Sequence, residues 1–227
     1  QEISVDKIID GLSAEELETL SSQSAFALGY FRLGDPFLGA CVRAQKFDGK
    51  PKLVNTKDFA NLDSPVIFRG ISGNDAKSYA NDFKRGDFFI GEGVYGNGTY
   101  GAYGSNGLSI AEKYAKRDGA IVRMKLSDTA RIANYPELEE QFAKQTAFKD
   151  YISRLDNEIE KLPNDGSQAS VTLRRKKVVA QHISRDISSL AIQRGFDAIR
   201  VPSFTGEDKG YFVILNRTAL IVEDTKP

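Results

Sequence analysis

Gly91-Glu-Gly-Val-Tyr-Gly-Asn-Gly-Thr-Tyr100 places four glycines in eight residues and two tyrosines in the same window. Glycines without Cβ atoms let a backbone come close to a ligand that other residues would keep away. The two tyrosines add flat apolar faces beside that open backbone. Upstream, Val66-Ile67-Phe68 reads as a short buried strand that delivers Arg69 to its end, with Gly70 next. Arginine offers a planar, permanently charged fork that matches phosphate oxygens. Open backbone, aromatic faces and one cation together point to a nucleotide site. The segment fits neither the dinucleotide glycine pattern of a Rossmann fold nor a phosphate loop, because no Gly-Lys-Ser/Thr follows. A plain hairpin built on Asn97-Gly98 is the simpler reading, and it is compatible with a pocket wall.

Around this centre the chain alternates strands and helices. Asn74 to Lys84 reads as a helix stopped by Gly86, and Ser109 can cap a helix through Ala111, Tyr114 and Ala115. Ala120 to Leu126, Ala198 to Val201, Tyr211 to Leu215 and Ala219 to Val222 read as strands. Glu137 to Lys161 and Gln168 to Arg194 read as two long helices joined at Leu162 to Gly166. Residues 1–62 read as helical: a capping box Ser13-Ala-Glu-Glu16, a helix over Ser24 to Leu33, and a cap with first-turn proline at Asp35-Pro36. The expected class is α+β, with a helical N-terminal annex over 1–62, a main domain over 63–227 and a helical insertion at 137–194.

Composition narrows the chemistry. The 227 residues carry 31 acidic and 31 basic side chains, so no global field draws the chain to nucleic acid or membrane. Arg174-Arg-Lys-Lys177 reads as a solvated helix face, with an acidic partner or nucleic acid as the other possibility. Apolar runs are strand-length. One cysteine, Cys41, and one histidine, His182, leave no disulfide and no paired-histidine zinc motif, and no metal is expected. The chain opens at Gln1-Glu2 without a signal-peptide pattern, and its first residue, not Met, leads us to expect an excised or processed fragment.

Phe68-Arg69-Gly70-Ile71, followed by Gly93 to Tyr100 and Ala111-Glu-Lys-Tyr-Ala115, resembles the ADP-ribosyltransferase superfamily. The likeness is to the tyrosine pattern of poly(ADP-ribose) polymerases, and to transferase domains of phage head-associated and polymorphic-toxin proteins. Tyr211 to Val222 is similar to the final strand pair, so the resemblance covers roughly residues 64–227. It implies a split mixed sheet and NAD as co-substrate. It also implies Arg69 on the phosphates or ribose, Gly70 on the carboxamide, and Tyr100 and Tyr114 around the nicotinamide. Tyr95, Asn97, Gly98, Thr99 and Phe212 would line the remainder.

One departure concerns the acid that usually opens the last strand of the site, where this chain has Tyr211 or Phe212. Breaking the nicotinamide–ribose bond leaves positive charge on the sugar, which a preorganised carboxylate stabilises. Glu207, in the preceding loop, is the candidate replacement and Glu92 the reserve. The expected activity is mono-ADP-ribosyl transfer, with NAD glycohydrolysis or a weak NAD-binding module as alternatives. The resemblance further implies an effector acting in the cytoplasm of a target cell after delivery. Its acceptor would be protein or nucleic acid, an immunity protein would accompany it, and no membrane would be involved.

Overall fold

The computed structural model describes residues 1–23, 35–87, 90–164, 166–203 and 209–225. They form a mixed α+β structure around one eight-stranded sheet. The strands are β1 (Lys52–Val54), β2 (Ile67–Ile71), β3 (Thr99–Gly104), β4 (Ala120–Leu126), β5 (Ile132–Asn134), β6 (Ala198–Pro202), β7 (Lys209–Ile214) and β8 (Leu220–Glu223). Their order is β1-β8-β4-β2-β3-β7-β6-β5. The β1–β8 and β5–β6 pairs are parallel, and the others are antiparallel.

Side-chain alternation sorts the strands onto two cores. Along β7, Phe212 and Ile214 join a cluster with Ile67, Phe83, Tyr103, Val122 and Met124, while Val213 joins the larger cluster on the other face. Both faces are therefore covered, and β7 lacks a solvent side. The smaller cluster is closed by α5 (Ala76–Arg85), which follows the short α4 (Thr56–Ala60) and ends at Gly86 with φ 96°. That left-handed conformation explains why glycine stops the helix.

The larger cluster unites α1 (Val5–Asp10), α2 (Ala14–Gln23) and α3 (Pro36–Ala44) with α7 (Tyr135–Lys144), α8 (Ala147–Glu160), α9 (Gln168–Ile183) and α10 (Ile187–Gln193). The N-terminal helices and the 135–193 helices thus share one apolar layer against the sheet. The capping box forms as read: Glu16 N–H donates to Ser13 Oγ at 3.1 Å, and Ser13 N–H to Glu16 Oε2 at 2.9 Å. Asp35 caps α3 by accepting from Phe37 and Leu38 N–H at 2.8 and 3.2 Å.

The basic run on α9 is consumed inside the molecule. Arg175 pairs with Glu18, Lys176 with Asp10 at 2.7 Å, and Lys177 with Asp156; Arg174 donates to Ser170 Oγ and Asn164 Oδ1. These contacts tie α9 to α1, α2 and α8, which leaves the run little charge to offer nucleic acid.

Several expectations are corrected. Residues 1–62 are not all helical, because β1 leaves the N-terminal segment to join the main sheet beside β8. The two long helices are four: Gln145-Thr146 separates α7 from α8, and Ser184 to Asp186 separates α9 from α10, where Asp186 caps by accepting from Ser188 N–H at 3.0 Å. The helix assigned to Ser109 begins earlier, as α6 (Gly107–Ala115). The helix expected over Ser24 to Leu33 lies outside the described residues.

Candidate functional site at the split of the sheet

β2 pairs with β4 along all five of its residues but is in register with β3 only at Phe68↔Ala102. Past Phe68 the sheet opens. Arg69 spans this opening, its Nη1 donating to the carbonyl oxygen of Tyr100 at 2.8 Å. Its guanidinium carbon lies 5.8 Å from the centroid of the Phe83 ring. Burial pulls the Arg69 pKa down from its usual value, yet an arginine stays charged in proteins. Among the described residues no carboxylate pairs with it, so this cation keeps donors in reserve.

Gly70 is fixed by packing. A Cβ there would stand 2.0 Å from the carbonyl oxygen of Ala111 and 2.7 Å from the amide nitrogen of Ala115. Helix α6 therefore lies directly on β2, and any side chain at 70 would push it away. That same close approach holds Tyr114, carried on α6, beside the opening.

The glycine-rich segment folds as a hairpin, but not around Asn97-Gly98. Gly91 and Gly98 exchange two 2.9 Å backbone hydrogen bonds and close a six-residue loop over 92–97. The loop wraps the far end of the Tyr100 ring, whose hydroxyl donates to the Gly96 carbonyl at 2.6 Å and accepts from Tyr95 N–H at 3.1 Å. Gly93 is needed where it stands, since a Cβ would fall 2.1 Å from the Tyr100 hydroxyl oxygen. Burial pushes the Tyr100 phenol up to about 12.

Tyr100 does not meet Tyr114 alone. Tyr211, on β7, sits 6.4 Å between ring centroids from both Tyr100 and Tyr95, and Tyr114 lies close enough to help raise its phenol. Tyr95 in turn meets Tyr135 edge-to-face at 5.2 Å. Five tyrosines thus form a connected aromatic group at the split, from half-buried Tyr95 and Tyr100 to Tyr114, which is 63% exposed. Burial raises the phenol of Tyr211, and that of Tyr135 beside Glu139.

The cation and the rings approach from opposite faces. Arg69 alternates with Ile67 and Ile71, both packed in the Phe83 cluster, whereas Tyr95, Tyr100 and Tyr211 pack against the helical layer. They meet only at the split, through the Tyr100 carbonyl.

Of the remaining candidates, Phe212 is a core residue, 4% exposed and 4.8 Å from the Tyr103 ring on the face away from the tyrosine group. Its burial removes it from a ligand-lining role. Thr99 and Gly98 are also buried. Glu92 is exposed on the loop. Glu207 lies outside the described residues.

Asn97 anchors the loop. Its backbone N–H donates to Asp186 Oδ1 at 3.1 Å and its Nδ2 to Asp35 Oδ2 at 2.8 Å, while its Oδ1 accepts from Gly93 N–H at 3.3 Å. The sequence reading missed Tyr211 and Tyr135 as members of the group and Asp186 as its support. Asp186-Ile-Ser188 carries a helix-cap signal, concealed inside what reads as one long helix.

Cys41 and His182 are structural. Cys41 is fully buried, which pushes its thiol well above the usual range, and His182 stacks on Phe37 at 4.5 Å. Among the described residues no group of three His, Cys, Asp or Glu side chains could hold a metal ion, and no helix is long and apolar enough to cross a membrane. No family model, no curated protein and no solved structure matches the chain.

Proposed function

We propose that the chain is an NAD-dependent mono-ADP-ribosyltransferase whose site is the split between β2 and β3. The observation that carries this reading is the convergence there of Arg69, Gly70, Tyr100 and Tyr114 from three separate elements. The residues fit the co-substrate in kind. A guanidinium with no carboxylate partner among the described residues suits a pyrophosphate, and an aromatic group suits a pyridinium, to which stacking and cation–π attraction contribute on the order of 1–3 kcal/mol. Helix α6 seated against Gly70 keeps the exposed Tyr114 ring close to the strand backbone.

The single paired position between β2 and β3 is taken as the split that the superfamily resemblance implies. In this reading Arg69 holds the phosphates, Gly70 offers its backbone to the carboxamide, and the ring is held by Tyr114 with Tyr100 or Tyr211. Tyr211 enters because it contacts both of the others. Nicotinamide leaves neutral, and the sugar it leaves carries positive charge. Glu207 supplies the carboxylate, with Glu92 in reserve. Delivery into a target cell, a protein or nucleic-acid acceptor and a neutralising partner belong to the same proposal.

A second reading has its own observation. The two positions where the acid is expected hold Tyr211, beside Tyr114, and Phe212, buried in the core. A site so arranged suits an NAD-binding module, or a slow glycohydrolase in which water replaces the acceptor. Mass spectrometry of nicotinamide released from NAD, with and without cell lysate, separates the three. Release that requires lysate and is reduced about a hundredfold or more in Glu207→Gln supports the transferase. Release without lysate identifies the glycohydrolase. Bound NAD without release identifies the module.

A further inference from the structure

The loop over 92–97 is held from outside the site by two helix caps. Asp35 accepts from the first-turn amides of α3 with Oδ1 and from Asn97 Nδ2 with Oδ2. Asp186 accepts from Ser188 N–H and Asn97 N–H with the same Oδ1, and its Oδ2 is buried without a hydrogen-bond partner. The loop presses on the start of α10 at Gly96, where a Cβ would lie 2.3 Å from Ser188 Oγ. Through Gly96 and Tyr95 the same loop fixes the Tyr100 hydroxyl.

We propose that Asp35, Asn97 and Asp186 form a clasp that positions the glycine loop and Tyr100, and that ionisation of Asp186 loosens it. The second half rests on what surrounds Asp186. Asp35 and Cys41 face it from α3 and Tyr100 from β3; all three are neutral or negative. Of the cations on these elements, Arg43 pairs with Glu16 and lowers Cys41, and Arg185 lowers His182. Burial, the largest cause, and the Asp35 charge raise Asp186 from the ordinary carboxylate range to about 6, against the opposing pull of its two backbone donors.

The sign follows from linkage. The clasped state binds the proton more tightly than an opened, hydrated one, so this contribution is complete below the ordinary carboxylate range. It is lost as pH rises through about 6. The role in substrate handling rests on the NAD reading above; the clasp itself does not.

Hydrogen exchange of the whole chain by mass spectrometry, corrected for intrinsic rates between pH 4.5 and 7.5, tests both parts. In the wild type, exchange of the 91–99 segment should accelerate with pH by up to about tenfold per unit where Asp186 titrates, then level off. Asp186→Asn keeps the acceptor without the charge and should give a protected, pH-independent loop. Asn97→Ala should open the loop about tenfold at every pH while β4 stays protected. Protection of the loop in Asn97→Ala overturns the clasp, and an equal pH response in wild type and Asp186→Asn overturns the ionisation step. Calorimetric NAD titration of the same proteins separates the two proposals. Weaker NAD binding by Asn97→Ala supports a positioning role; a loosened loop in a protein that binds no NAD sinks the NAD reading and leaves the clasp intact.

Discussion

The helical layer and the split of the sheet use the same residue types to opposite ends. On α9, the four basic side chains are each satisfied by a partner within the molecule. At the split, Arg69 has one carbonyl and one aromatic face and no carboxylate among the described residues. In the helical layer the rings of Phe148 and Tyr151 are buried outright, whereas the tyrosines at the split stay half open. Groups whose bonds are already made stabilise a fold; groups held in place with capacity to spare are what a ligand can use.

That contrast breaks most severely in the core. Phe148, 1% exposed, sits at the centre of the helical layer, and Phe148→Ala should cost about 3–5 kcal/mol in urea denaturation. Ligand binding by the folded fraction should be unchanged. At the split the balance reverses. Gly70→Ala must displace α6, because its Cβ would meet Ala111 at 2.0 Å; about 1–3 kcal/mol of stability should go, together with all NAD binding. Tyr211→Phe removes the hydroxyl beside Tyr114 and should leave stability within about 1 kcal/mol while raising the NAD dissociation constant several-fold. The smallest change belongs to the helical layer again. Lys176→Ala removes a partly exposed ion pair with Asp10 and should cost no more than about 1 kcal/mol, less at high salt.

The sequence showed the local devices well. Ser13 and Glu16 form their reciprocal cap, Asp35 caps α3 and Gly86 ends α5, because each depends on neighbours two to four residues away. β4 was legible from alternation, and its span is the expected one. The three-residue strands β1 and β5 were not, since three residues carry no period and pairing alone defines them. The break before α10 escaped notice because the Asp186 cap on Ser188 lies inside a stretch that reads as one long helix, while its bond to Asn97 comes from eighty-nine positions away in sequence. At the site, the residue types were readable and their faces were not. Alternation puts Arg69 with Ile67 and Ile71, but only the packing of α5 and of the helical layer shows that the cation and the rings come from opposite sides.

The central claim is that the split between β2 and β3 takes NAD, with Arg69 as its anion-binding group. Isothermal titration of NAD into the wild-type chain and into Arg69→Ala, with circular dichroism confirming that both are folded, tests it most directly. The account predicts saturable one-to-one binding by the wild type and at least a tenfold weaker interaction in the variant. No binding by the folded wild type, or equal affinity in the two proteins, would contradict it.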